Sequence, residues 1–404
     1  KEGITGAEAL RLFTEVLAPS SIAVDHPKFL SFVPGAPTEA SIIFDMVVSA
    51  ASIYAGSWLE GAGAVFAENQ ALRWIADLAD FPDSAGGVFV SGGTAGNMSA
   101  LLAGRHWWRS RNEGRHDHTR GLIMASKGAH SSVAQAARAM DADVLLVPAD
   151  ERGRLVGTAL RSTVDAMSQA DRDRLFAIVA TCGTTNIGVI DELSVVADVA
   201  QELNVWFHVD GAYGAAGLCA PSVRHKYIGI ERADSFIVDP HKWLFAPFDA
   251  CALVYRNPEL AKEAHSQHAS YLDTLKDDQW SPSDYAINLT RRTRGLPFWF
   301  SLAAHGTDAY TEAMEQTITV AKDAAELVRK HPNLELLCEP ELSIVAFTRK
   351  GWAAADYQRW SDQLLADQVG FIPPSSHNGQ PILRFAIVNP WTKISDIQMI
   401  LDRL

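Results

Sequence analysis

The feature that most constrains this chain is a series of short apolar runs, at 87–90, 122–125, 144–147, 175–180, 205–209, 236–238 and 250–255. Several are separated by stretches of helical periodicity, notably 132–140, 162–167 and 193–203. Short apolar runs of this kind read as strands buried on both faces, and the helices between them supply the crossovers that parallel strands require. The pattern predicts an α/β domain with a large, mostly parallel sheet of the seven-stranded type and helices on both faces. After Pro297 the sequence changes to a helix-like region at 298–330, alternating segments at 334–337 and 343–347, an apolar run at 382–387 and a last helix at 394–401. This predicts a smaller C-terminal α+β domain. With residues 1–60 read as an N-terminal helical segment, irregular over 25–37, the division is 1–60, 61–297 and 298–404.

Open α/β sheets bind ligands beyond the carboxyl ends of their strands, and several polar residues of this chain fall there. The turn Ser91-Gly92-Gly93-Thr94 joins a strand to a helix, so free backbone N–H groups and the Thr94 hydroxyl can surround an anion at the positive helix end. It has neither the ending of a P-loop nor the spacing of a dinucleotide fingerprint, so ATP and NAD fit poorly. A tight structural turn is the competing reading. The turn Cys182-Gly183-Thr184-Thr185-Asn186 follows another strand, and its hydroxyls either enter the same cavity or cap an ordinary loop.

Asp210 ends the run 205–209, where an unpaired carboxylate is costly and calls for a cation or a strong donor. A protonated heterocycle nitrogen would serve, as would a local cap. His130, in Ala129-His130-Ser131-Ser132, either lies over a planar ligand or is a satisfied structural histidine. Lys242, in Asp239-Pro240-His241-Lys242-Trp243, is either a solvated side chain or the amine that holds an aldehyde. Taken together, a phosphate-like turn, a flat-ring partner, a buried carboxylate and a lysine at separate strand ends describe a site for pyridoxal phosphate. No Cys/His/Asp spacing gives a convincing metal set.

The formal net charge of −13 and a single compact basic cluster, Arg291-Arg292-Thr293-Arg294, argue against nucleic acid as a partner. No apolar run reaches the roughly 18 residues of a membrane span. Cys182, Cys219, Cys251 and Cys338 are widely spaced, which fits a reducing compartment and a cytoplasmic protein.

The ordered set Ala129-His130-Ser131-Ser132, Cys182-Gly183-Thr184-Thr185, His208-Val209-Asp210-Gly211-Ala212-Tyr213 and Asp239-Pro240-His241-Lys242-Trp243 resembles the pyridoxal-phosphate-dependent group II amino-acid decarboxylases. Asp25-His26-Pro27-Lys28-Phe29 and Leu383-Arg384-Phe385 extend the likeness over nearly the whole chain. The resemblance implies a fold-type-I homodimer with active sites near the subunit interface, acting on a small-molecule L-amino acid. It implies Lys242 as the lysine bound to the cofactor aldehyde, Asp210 as partner of the pyridine nitrogen and His130 as the stacking ring. Gly93 and Thr94 then bind phosphate, with His241 near the same end, Thr185 beside the ring oxygen, Ala212 beneath the ring and Asp239 among the cofactor-binding residues. Tyr285 resembles the loop tyrosine that returns a proton to the substrate carbon, with Tyr271 in reserve; without either, water or Lys242 would do so.

Residues 32–37 and 53–58 resemble two pocket walls whose aromatic surface favours Trp, Phe, Tyr or Dopa, and Gly56 takes a place where animal aromatic decarboxylases carry a bulkier ring. Acidic or aliphatic substrates, an aminotransferase or lyase of the same fold, and a catalytically silent regulatory dimer are the alternatives.

Overall fold

The computed structural model describes residues 2–33, 35–111, 119–267 and 279–404. The seven apolar runs become β1 (Gly86–Val90), β2 (Leu122–Ser126), β3 (Asp143–Val147), β4 (Leu175–Thr181), β5 (Trp206–Asp210), β6 (Ser235–Val238) and β7 (Cys251–Tyr255). They form one sheet in the order β1-β7-β6-β5-β4-β2-β3. Strands β3, β2, β4, β5 and β6 pair in parallel, whereas β7 runs antiparallel to both β6 and β1. The sequence did not mark this reversal, because a fully buried strand has the same apolar composition whichever way it runs.

Side chains alternate across the sheet with the period of two that a strand imposes. Phe207 and Val209 of β5 join a core with Leu72, Ile75 and Phe81, while Trp206 joins the opposite core with Leu101, Trp108 and Val133. Each large apolar side chain buried in this way contributes about 1.5–3 kcal/mol. Two of the covering helices matter for the site: α4 (Gly93–Ser110) follows β1, and α5 (Ser131–Ala139) follows β2. Before the sheet come α1 (Gly6–Leu12), a π-helical turn at Phe13–Leu17, α2 (Glu39–Ala51) and α3 (Trp58–Leu78). Thr5 and Thr38 cap α1 and α2 by accepting the N–H groups of Glu8 and Ser41.

The helix expected over 298–330 spans Leu296–Lys330, with Pro297 in its first turn and an interruption at Gly306, whose φ is 76°. Phe298, Tyr310, Met314 and Ile318 pack into the core of the large sheet. Ala321, Ala324, Ala325 and Val328 pack into a separate core with Phe347, Phe385 and Ile397, so this helix carries residues of both. The smaller C-terminal α+β domain has a four-stranded sheet of β8 (Leu334–Leu336), β9 (Ile344–Arg349), β10 (Ser375–His377) and β11 (Gln380–Ala386), in the order β10-β11-β9-β8 and antiparallel throughout.

Candidate active site

The site forms where several strands end. After β1 the chain turns through Ser91 and Gly92 directly into α4, and Gly92 has a φ of 138°, which side chains rarely adopt. A Cβ on Gly93 would stand 3.2 Å from the Ala212 Cβ and 3.3 Å from Asp239 Oδ2, so residue 93 forms a tight floor. The first-turn amides of α4 have no acceptor in the helix, and the macrodipole adds positive potential. Ser91, Gly92, Gly93 and Thr94 therefore offer an anion seat on one side of a cavity of about 760 Å³.

Beside that seat, Asp239 follows β6 and takes the N-cap position of the short helix Pro240–Trp243. Asp239 is 1 % exposed, and its Oδ2 lies 2.9 Å from Lys242 Nζ and 3.7 Å from His241 Nε2. Burial pushes the Asp239 pKa up, but the charges of Lys242 and His241 overcome it and hold the group below the usual carboxylate range. Burial likewise pushes Lys242 down, and Asp239 more than reverses this, leaving the amine raised. His241 is lowered, with burial as the main cause.

Asp210 ends β5 beside Thr181 of β4 and Ile237 of β6 in the strand register. Its Oδ1 accepts the Ala212 N–H at 3.2 Å and its Oδ2 accepts Asn97 Nδ2 at 2.9 Å. His130 sits at the start of α5, where its Nδ1 accepts the Ser132 N–H at 3.2 Å and so caps the helix. Thr185 lines the cavity, but the neighbouring Thr184 uses its hydroxyl to accept the Val189 N–H, so the two hydroxyls of that turn have separate tasks.

The cavity thus brings together Gly93, Thr94, His130, Thr185, Asp210, Ala212, Asp239, His241 and Lys242. Two buried atoms of its lining, Thr181 Oγ1 and Asp239 Oδ1, have no hydrogen-bond partner among the described residues. An amine, a carboxylate at a strand end, an anion seat and orphaned polar atoms fit a phosphorylated heterocyclic aldehyde. Among the described residues no group of three or more His, Cys, Asp or Glu could hold a metal ion.

Tyr285 and residues 53–58 stand apart from the cavity lining of the single chain. Tyr285 is 2 % exposed, stacks on Trp280 with centroids 3.9 Å apart, and does not line the cavity, so apolar packing holds it apart from the other site residues. None of residues 53–58 lines the cavity either. A Cβ on Gly56 would meet Tyr54 Oη at 2.2 Å and the Leu289 carbonyl at 2.7 Å, so its smallness lets the Tyr54 ring and the Leu289 backbone approach. Tyr271 and Pro34 lie outside the described residues.

To residues of the segments 25–29, 32–37 and 383–385 the structure adds Phe248, Asp249 and Ile287, which no motif marked. Phe29, Phe32 and Val33 form an apolar part of the lining, with Phe248 and Ile287. Arg384 Nη1 donates to the Phe32 carbonyl from β11, and burial lowers this arginine to about 10. Asp249 also lines the cavity and pairs with Arg294 at 2.7 Å. Arg291 is committed to Glu68 and Arg292 to Asp45, so all three arginines of the basic cluster have carboxylate partners.

The model of the pyridoxal-dependent decarboxylase conserved domain matches residues 10–350. An aromatic-L-amino-acid decarboxylase of Bacillus atrophaeus is 28 % identical over 394 residues, covering 94 % of this chain and 81 % of that protein. An L-2,4-diaminobutyrate decarboxylase of Acinetobacter baumannii is 26 % identical over 368 residues, covering 86 % and 72 %. The crystal structure of Oryza sativa TDC with PLP and tryptamine superposes with a TM-score of 0.92 at 23 % identity, over 100 % of this chain and 88 % of that one, a likeness of fold.

Proposed function

The chain belongs to the pyridoxal-dependent decarboxylase family, a carboxy-lyase using pyridoxal phosphate to release carbon dioxide from an L-amino acid, and from that premise we propose that its substrate is aromatic and that Lys242, Asp210 and His130 do the chemistry. The observation that carries this reading is the convergence of those three side chains, with the anion seat of α4, on one cavity.

When bound, the cofactor supplies an electron-withdrawing ring that accepts the pair left by departing carbon dioxide. Lys242 would hold the cofactor through its aldehyde, with its amine free to be exchanged for that of the substrate. Asp210 would be the partner of the ring nitrogen, and His130 and Ala212, which line the same cavity, would hold the ring. Gly93 and Thr94 hold the phosphate with Asp239 and His241 nearby, and Thr185 stands by the ring oxygen. The lining would select decarboxylation by orienting the substrate carboxylate for departure. The proton that replaces the carboxylate comes from an N–H group of the lining, Lys242 or His130, since Tyr285 is packed elsewhere.

The aromatic preference is supported by Phe29, Phe32, Val33, Phe248 and Ile287 in the lining. Among the described lining residues the basic side chains are Lys242 and two histidines, with no arginine to pair with an acidic side chain. The test is to offer the holoenzyme Trp, Phe, Tyr, Dopa, Glu, Asp and 2,4-diaminobutyrate separately and measure kcat/KM. A preference for an acidic or basic side chain overturns the aromatic reading.

We further propose a homodimer. The segments Gly6–Leu12 and Phe13–Leu17 bury no residue, and Leu10, Phe13 and Leu17 are more than half exposed, as are Ile43 and Met46 of α2. A second copy of the chain would cover these apolar faces. Among the described residues no helix is long and apolar enough to cross a membrane. The four free cysteines fit the reducing cytoplasm, where we place the protein.

A further inference from the structure

Asn97 lies on α4, 1 % exposed, and bonds to both β5 and α5. Its Nδ2 donates to Asp210 Oδ2 at 2.9 Å and to Ser132 Oγ at 2.8 Å, and its Oδ1 lies 2.8 Å from His208 Nε2. Asp210 as a carboxylate can only accept, so the amide has one workable orientation and His208 must donate from Nε2. His208 Nδ1 then accepts from the Ser235 hydroxyl at 2.9 Å, and Ser235 Oγ in turn accepts Trp206 Nε1–H, a group that can only donate, at 2.9 Å. Burial lowers the His208 pKa to about 4, which agrees with a neutral ring.

At the other end, Ser132 Oγ receives a hydrogen from Asn97 and gives its own to His130 Nδ1 at 2.8 Å. The Ser132 backbone N–H also points to Nδ1, so the His130 proton sits on Nε2. Every hydrogen from Trp206 to His130 therefore runs in one direction, and the chain branches to Asp210 at Asn97. A buried network with all members satisfied holds its groups in one arrangement.

We propose that Asn97 is a positioning residue of this active site, fixing through its one amide group both the Asp210 carboxylate and the Ser132 hydroxyl that faces His130. The inference rests on the assignment of Asp210 to the cofactor's ring nitrogen. Loss of the amide leaves Asp210 Oδ2 without its donor, which makes the carboxylate a stronger base and draws the shared proton from the ring nitrogen. A less protonated ring is a weaker electron sink, so turnover slows while substrate binding changes little.

The test uses holoenzyme loaded with pyridoxal phosphate carrying ¹⁵N in the ring, in wild type, Asn97→Leu and Asn97→Thr. In Asn97→Leu the ring ¹⁵N signal moves toward its unprotonated position and kcat falls about 10- to 100-fold, the usual loss when an outer-shell orienting partner is removed, with KM within about 2-fold. Asn97→Thr keeps one donating hydroxyl and shows both effects in smaller measure, which secures the test if the leucine variant does not fold. Ring signals at the wild-type position in both folded variants, or a rise in KM without a fall in kcat, overturn the role of Asn97. A wild-type protein that shows no cofactor absorbance band, or whose ring nitrogen is unprotonated, overturns the underlying assignment instead.

Discussion

Asp239 Oδ2 and Lys242 Nζ lie 2.9 Å apart at the start of one short helix, with the carboxylate 1 % exposed and the lysine side chain 27 % exposed. Asp239 is depressed in the folded protein, so its contribution is present above its unfolded pKa and is lost as pH falls through the folded value. Lys242 is raised, so its contribution is present below its unfolded pKa and is lost as pH rises through the folded value. In the cofactor-free protein Asp239→Asn is expected to be less stable than wild type at pH 7. The gap narrows below about pH 4 and above about pH 10.5, near the unperturbed carboxylate and lysine values. Urea unfolding across that range checks it, and a constant gap would contradict the pairing.

The same lysine loop is approached closely by the segment before α2. Gly35 N–H donates to the His241 carbonyl at 3.0 Å, and a Cβ at Gly35 would stand 2.3 Å from the Lys242 carbonyl oxygen and 2.7 Å from that of His241. Gly35→Ala is therefore predicted to lose about 1–3 kcal/mol of stability and to weaken cofactor binding. Gly63→Ala, on α3 with nothing within 4 Å of the new methyl, serves as control and gains up to about 1 kcal/mol. Thermal unfolding and cofactor titration of the two variants make the comparison.

Arg291 and Glu68 form a bidentate pair with both side chains 2 % exposed, and Arg291 also donates to the Ala55 carbonyl. Arg291→Met strands a buried carboxylate that also accepts the Gly295 N–H, with an expected loss of about 3–5 kcal/mol. Removing the second charge as well, in Glu68→Gln with Arg291→Met, is predicted to recover part of that loss. Urea unfolding of the three variants forms the cycle, and additive losses would contradict it.

Tyr285 packs flat on Trp280 away from the cavity, and burial pushes its phenol well above the ordinary tyrosine value. Tyr285→Phe should keep the ring stack and leave the ratio of amine to carbonyl product unchanged. Chromatography of the products from one aromatic substrate decides it, and a shift toward aldehyde or keto acid would return Tyr285 to the chemistry.

The cofactor end of the site was legible because its residues stand beside strand ends: Asp210 closes the run 205–209, and Asp239 through Lys242 follow 236–238. Buried strands are the strongest signal such a chain carries, and they place the residues that follow them. Asn97 was not legible, since it reads as one more polar residue on α4 and its partners lie 35 and 113 residues away. Phe248 and Arg384 come from a loop and from the small sheet, with no periodicity that points to the cavity. Tyr285 reads as a loop residue from its neighbours, and its stacking on Trp280 had no signal in the sequence.

The claim on which all the chemistry depends is that Lys242 binds the cofactor aldehyde. Borohydride reduction of the holoenzyme, followed by proteolysis and mass spectrometry, tests it directly. The account predicts one pyridoxyl group per chain, on Lys242, and none in Lys242→Ala; a group fixed on another lysine, or equal labelling of the variant, would contradict it.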